Sequence, residues 1–204
     1  MTVFQDTSES MNAFNTRETA IKAAATFTYS ALADYDTVST VLFKDGIGKF
    51  SHNLRGTKSF NRLVADLEDY SFGGESDLFK AVYPWQNKLR KGITVIISDL
   101  MFDHQIEKVI RLLAYKKQRV VLCHVLAEEE INPTFDENVM LVDSESGETM
   151  DIDTGYEAVN LYKQKLQDYV NEIKGVCSRY KVDYMLINTK DPFEGFIKHI
   201  QSIS

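Results

Sequence analysis

The stretch ITVIISD, residues 93–99, decides the fold class. Its first five residues form an almost entirely apolar run, which is what a strand covered by other elements on both faces requires. The run stops abruptly at Ser98 and Asp99. The stretch therefore predicts a buried central strand that carries polar groups at its carboxyl end.

On either side of this strand, apolar segments of strand type alternate with segments of helical periodicity. Strands are predicted at 3–4, 36–43, 47–51, 93–97, 119–125 and 184–187. Helices are predicted at 16–33, 59–70, 78–88, 103–115, 155–180 and 192–200. This alternation predicts a three-layer, doubly wound α/β fold, in which helices cover both faces of a mostly parallel, Rossmann-like sheet.

The length of 204 residues suits a single domain, 1–204. Residues 127–154 break the alternation, and their pattern predicts a β-hairpin excursion near the sheet edge. A net charge of −7 argues against general nucleic-acid binding, which needs a basic surface. The chain has no apolar run of about 20 residues, no signal peptide at its start and only two cysteines, so we expect a cytoplasmic protein without disulfides.

Polar side chains follow three of the predicted strands or loops at the edge where open α/β sheets bind ligands. They are Asp6, Ser8 and Ser10, then Ser76 and Asp77, then Ser98 and Asp99. Hydroxyl and carboxylate oxygens suit Mg²⁺ or Mn²⁺ better than zinc or copper. Asp77 is predicted to cap the helix that follows it. Alternatively, the first loop makes only local side-chain bonds, and Ser76 or Asp99 caps a helix.

The sequence DTSES at 6–10 matches the DxSxS motif of von Willebrand factor A-type domains. GGESDL at 73–78 resembles their second metal loop, with Ser76 where the family usually has threonine, and Ser98-Asp99 resembles the third. Together with VDSESGE at 142–148, these motifs resemble a bacterial subfamily known as domain of unknown function fifty-eight. The resemblance covers nearly the whole chain.

The resemblance implies a metal-ion-dependent adhesion site (MIDAS) that holds Mg²⁺ or Mn²⁺. Ser8, Ser10 and Ser76 would contact the ion directly, and Asp6 and Asp99 would contact it directly or through water. The ion would capture an acidic group of a protein partner, and related domains accompany MoxR-type AAA+ ATPases. Members usually carry a further segment before the DxSxS strand, so we expect this chain to be a short or shortened member.

Two other functions compete with a binding module. One is a Mg²⁺-dependent hydrolase or phosphatase, although Ser8 stands where such enzymes commonly have a second acid and no phosphate loop or nucleophile elbow is present. The other is a structural domain whose metal site is vestigial.

Overall fold

The protein is built around a six-stranded sheet with helices packed on both faces. The computed structural model describes residues 1–101, 105–133, 141–142, 149–150, 155–191, 193, 195–197 and 200. The strands are β1 (Thr2–Asp6), β2 (Val38–Lys44), β3 (Gly46–Leu54), β4 (Gly92–Ser98), β5 (Gln118–Leu126), β6 (Leu141–Val142), β7 (Thr149–Met150) and β8 (Asp183–Asn188). The helices are α1 (Thr16–Ala33), α2 (Phe60–Glu68), α3 (Leu78–Trp85), α4 (Ile106–Tyr115), α5 (Glu128–Ile131) and α6 (Gly155–Tyr180).

The strand order in the main sheet is β3-β2-β1-β4-β5-β8. Every neighbouring pair is parallel except β2 and β3, which form the antiparallel hairpin that the turn at 44–46 predicts. The predicted α/β fold with a mostly parallel sheet is therefore confirmed. The antiparallel strand lies at one edge of the sheet, where a hairpin can be added without a crossover helix.

Two apolar cores lie on opposite faces of the sheet. Successive strand residues point to opposite faces, so Val95 and Ile97 pack with α1 and α2, while Ile96 packs with α3, α4 and α6. All three side chains are fully buried. This two-sided burial explains why β4 is almost entirely apolar in sequence.

The bounds of α1 agree with the prediction. Ala20, Ala23 and Phe27 are buried in the core, whereas Ile21 and Ala25 are only half-buried. Alanines occur all around this helix, so several faces look similarly apolar in sequence. Contact with the sheet then selects the face that includes Phe27.

Residues 127–154 contain less described structure than the rest of the chain. Leu141–Val142 pairs antiparallel with Thr149–Met150, as the hairpin prediction requires, and the turn between them lies outside the described residues. That the hairpin lies near the sheet edge stays a prediction. The short helix α5 was not predicted. Among the described residues, no helix is long and apolar enough to cross a membrane.

The strand order places the predicted site at a reversal of the sheet. From β1 the chain proceeds to β2 on one side, and β4 then returns to the other side of β1. Ligands of open α/β sheets bind beyond the carboxyl ends of strands at such a reversal. Asp6 ends β1 and Ser98 ends the adjacent β4.

Candidate metal site

The first loop of the site leaves β1 at Asp6 and is fixed to the neighbouring strand. The backbone N–H and the hydroxyl of Thr7 both donate to the Phe43 carbonyl, at 2.9 and 2.7 Å. Beyond this anchor, Ser8 N–H donates to Asp6 Oδ1 at 2.9 Å, and the Ser8 and Ser10 hydroxyl oxygens lie 3.2 Å apart. The alternate spacing in DTSES thus brings Asp6, Ser8 and Ser10 together.

The second loop is attached to the first through its backbone. Gly73 N–H donates to the Thr7 carbonyl at 2.9 Å, and Glu9 N–H donates to the Gly74 carbonyl at 2.8 Å. Gly73 and Gly74 have φ values of 144° and 79°, which favour glycine. A Cβ on Gly73 would also lie 3.1 Å from Glu9 Oε2. The glycine pair therefore allows the two loops to approach each other.

Ser76 and Asp77 have different roles although they are adjacent. The Ser76 hydroxyl donates to Asp6 Oδ2 at 2.6 Å, so this side chain belongs to the site. Asp77 is the N-cap of α3, and its Oδ1 accepts from Lys80 N–H at 2.8 Å. The prediction that Asp77 caps a helix is confirmed, and the alternative that Ser76 is the cap is wrong.

The third loop follows β4, and the last residue of that strand, Ser98, completes the hydrogen bonding of Asp6. The Ser98 hydroxyl donates to Asp6 Oδ2 at 2.7 Å and accepts from Leu100 N–H at 2.9 Å. Ser98 was recognised as part of the motif but not as a site residue. Its place at the end of the apolar run of β4, directly before Asp99, is the sequence signal that could have identified it.

Asp99 is almost completely buried, and only one of its two carboxylate oxygens has a clear partner. Met101 N–H donates to Oδ1 at 3.1 Å, and the Asp99 N–H donates to Met11 Sδ at 3.2 Å. Among the described residues, no group donates a hydrogen bond to Oδ2 of Asp99. The N-cap of α4 is Gln105, so the alternative that Asp99 caps this helix is wrong.

The surroundings of Asp99 disfavour its charge. Burial is the main cause that raises the pKa of Asp99 to about 7; the negative charges of Asp6 and Glu130 act in the same direction, and the nearby Ser10 hydroxyl and the Met101 N–H partly oppose it. A buried carboxylate with an unpaired oxygen is costly unless a cation compensates it. Such a group is stabilised either by holding its proton or by a nearby cation.

The donor set fits Mg²⁺ or Mn²⁺. In the described part of the chain, no three His, Cys, Asp or Glu side chains cluster as a metal site, which leaves serine hydroxyls as the main candidate donors. Ser76 donates its proton to Asp6, so its oxygen lone pairs stay available to a cation. Neutral hydroxyls with few carboxylates suit a hard ion that retains several waters.

The chain also matches a known protein family. The family described as "Protein of unknown function DUF58" matches residues 1–169. The chain belongs to this family. The DUF58 match spans all three loops of the candidate site and ends within α6.

Two solved structures resemble the DUF58 chain in fold. The conserved hypothetical protein BatB from Bacteroides thetaiotaomicron has a TM-score of 0.60 and 13% identity, over 99% of this chain and 97% of that one. An aerotolerance-related membrane protein from Bacteroides fragilis, with multiple mutations to serine, has a TM-score of 0.59 and 14% identity, over 98% and 96%. Identities this low show the shared fold alone. No curated protein matches the chain.

Proposed function

We propose that this protein is a metal-dependent protein-binding module of the von Willebrand A type. Ser8, Ser10 and Ser76 would hold Mg²⁺ or Mn²⁺, with Asp6 and Asp99 acting directly or through water. The bound ion would supply an electrophilic position that accepts a carboxylate from another protein. By the family resemblance, that partner is a MoxR-type AAA+ ATPase or a complex whose assembly it assists.

The observation that carries the proposal is the unpaired oxygen of Asp99. Its side chain is 1% exposed, and its Oδ2 has no hydrogen-bond donor among the described residues. Native proteins rarely leave such an atom without a partner. A cation bound by the neighbouring serines would pair with it and would favour the charged carboxylate.

Asp6 supports the proposal in a different way, by orienting the hydroxyls. It accepts hydrogen bonds from Ser8 N–H, Ser76 and Ser98. Because the Ser76 proton is directed at Asp6, the oxygen of this partly exposed side chain is free to face an ion. Substituting Asp6 should therefore disturb more than one candidate ligand.

One observation favours the competing function of a structural domain with a vestigial site. Asp6 is fully buried and already accepts three hydrogen bonds, so this carboxylate is satisfied without an ion. The unpaired oxygen of Asp99 supports the binding module, because a bound ion would give this buried atom a partner. We also propose that the site is not hydrolytic, since Ser8 replaces the second acid that aspartyl-phosphate chemistry commonly uses.

Partner capture tests the proposed function. Wild type and Asp6→Ala are immobilised and presented with the MoxR-type ATPase of the same organism, in Mg²⁺ and in EDTA. We expect retention only by wild type in Mg²⁺, because both the ion and its ligands are then present. Ser59→Ala is a matched control, since its hydroxyl bonds the Arg55 carbonyl outside the site, and it should retain the ATPase.

Equal retention in EDTA and by Asp6→Ala would show that the ion does not mediate binding. Circular dichroism of Asp6→Ala establishes whether the variant is folded, because it removes a buried carboxylate. Ser10→Ala gives a milder second test, since Ser10 is partly exposed and its hydroxyl contacts that of Ser8.

A further inference from the structure

Leu100, which follows Asp99, has an unusual backbone conformation for a buried apolar residue. Its φ is 55° and its side chain is 1% exposed. Residues other than glycine, asparagine and aspartate seldom adopt this left-handed conformation, because the Cβ crowds the backbone. Surrounding contacts must therefore hold Leu100 in place.

Hydrogen bonds hold Leu100 at both of its peptide groups. On the amino side, its N–H donates to Ser98 Oγ at 2.9 Å. On the carboxyl side, its carbonyl accepts a close hydrogen bond from the Tyr169 hydroxyl of α6. The two partners come from different parts of the chain, since 69 residues separate Tyr169 from Leu100.

The peptide group that Tyr169 contacts also holds Asp99. The Leu100 carbonyl and the Met101 N–H belong to one planar peptide unit, and this N–H donates to Asp99 Oδ1 at 3.1 Å. Any rotation of the unit that breaks the Tyr169 bond would also misalign the bond to Asp99. Tyr169 therefore restricts the orientation in which Asp99 presents its unpaired Oδ2.

Tyr169 is itself fixed by packing. It lies against the core beside Ile173 and Val176 of the same helix, and its ring is edge-on to that of His124, with centroids 6.4 Å apart. His124 is buried and bonded through Nδ1 to the Tyr184 hydroxyl at 2.8 Å. This aromatic layer gives the Tyr169 hydroxyl a defined position under the Asp99 loop.

We propose that Tyr169 is a positioning residue of the metal site, which sets the orientation of Asp99 through the Leu100–Met101 peptide. The inference rests on the proposed function, because it assigns Tyr169 a part in binding the same ion. It predicts that metal affinity depends on a hydroxyl in α6 that lies outside all three metal loops.

Titration with Mn²⁺ alone tests this proposal. The electron paramagnetic resonance signal of free Mn²⁺ is followed as wild type, Tyr169→Phe and Tyr180→Phe are added, well below their unfolding temperatures. Tyr180→Phe is the matched control, because it removes a hydroxyl of the same helix that bonds Glu107 Oε1 at 3.0 Å. We expect Tyr169→Phe to bind Mn²⁺ about tenfold more weakly, as is typical when a residue that orients a metal ligand is lost.

The control should bind Mn²⁺ as wild type does. The proposal is overturned if Tyr169→Phe retains wild-type affinity, and also if Tyr180→Phe loses as much, since the effect would then be a general loosening of α6. In either case the proposed metal site is not contradicted, because wild type still binds Mn²⁺. If wild type binds no Mn²⁺, both the proposed function and this inference fail.

Discussion

At the scale of single residues, the two aspartates of the site differ sharply. Asp6 accepts three hydrogen bonds, whereas Asp99 has one oxygen without a donor among the described residues. The sequence predicts both as site residues but cannot show this difference, which depends on Ser98 and Met101 in the folded chain. In the proposed function, Asp6 orients the hydroxyls and the unpaired oxygen of Asp99 faces the ion.

The pKa of Asp99 predicts how the metal-free protein responds to pH. The folded protein holds the Asp99 proton up to a pKa of about 7, above its usual 3.8, mainly because of burial. This contribution to the free energy of unfolding is therefore complete below about pH 4 and is lost as pH rises through 7. In EDTA, the stability of wild type relative to Asp99→Asn should fall between pH 5 and 7 by about 1.4 kcal/mol per pH unit.

Urea denaturation of both proteins across this range measures the difference. Asp99→Asn is the reference because the amide does not titrate, so changes from other carboxylates cancel. Mg²⁺ should reduce the fall in wild type by compensating the charged carboxylate. A difference that stays constant with pH would mean that Asp99 is charged throughout and would contradict the raised pKa.

At the scale of elements, the second loop and α3 show how one short segment serves both the site and the fold. Ser76 bonds Asp6 and the next residue caps the helix. The cap could be predicted because Asp77 comes just before an apolar helical stripe. The role of Ser76 could not be predicted from spacing alone, because its partner lies 70 residues away in β1.

Removing the cap should destabilise α3. Asp77→Ala loses the bond from Lys80 N–H, and we expect a free energy of unfolding lower by about 1 kcal/mol in urea denaturation. It also loses a long ion pair to Lys80 at 3.4 Å. Asp45→Ala controls for this loss, because it removes a closer ion pair to the same lysine without affecting the cap. Equal destabilisation by both variants would contradict the capping role.

At the scale of the whole molecule, the sequence predicts the fold class well and the assembly of the site only in part. The apolar run of β4 and the alternation of elements indicate a parallel sheet, and the three motifs indicate polar strand ends. The strand order, which makes β1 and β4 neighbours, comes from packing over the entire chain. The helical spacing of Tyr169 in α6 indicates only that it faces the core, and nothing in the local sequence indicates that its hydroxyl reaches Leu100.

Calorimetric titration with Mg²⁺ and Mn²⁺ tests the central claim most directly. Wild type should bind a single ion, and Ser76→Ala should bind it at least tenfold more weakly because it loses a ligand oxygen and a hydrogen bond to Asp6. Ser76→Thr keeps the hydroxyl and should bind like wild type, as should the remote control Ser59→Ala. Absence of binding to wild type at millimolar metal, or unchanged affinity in Ser76→Ala, would contradict the account.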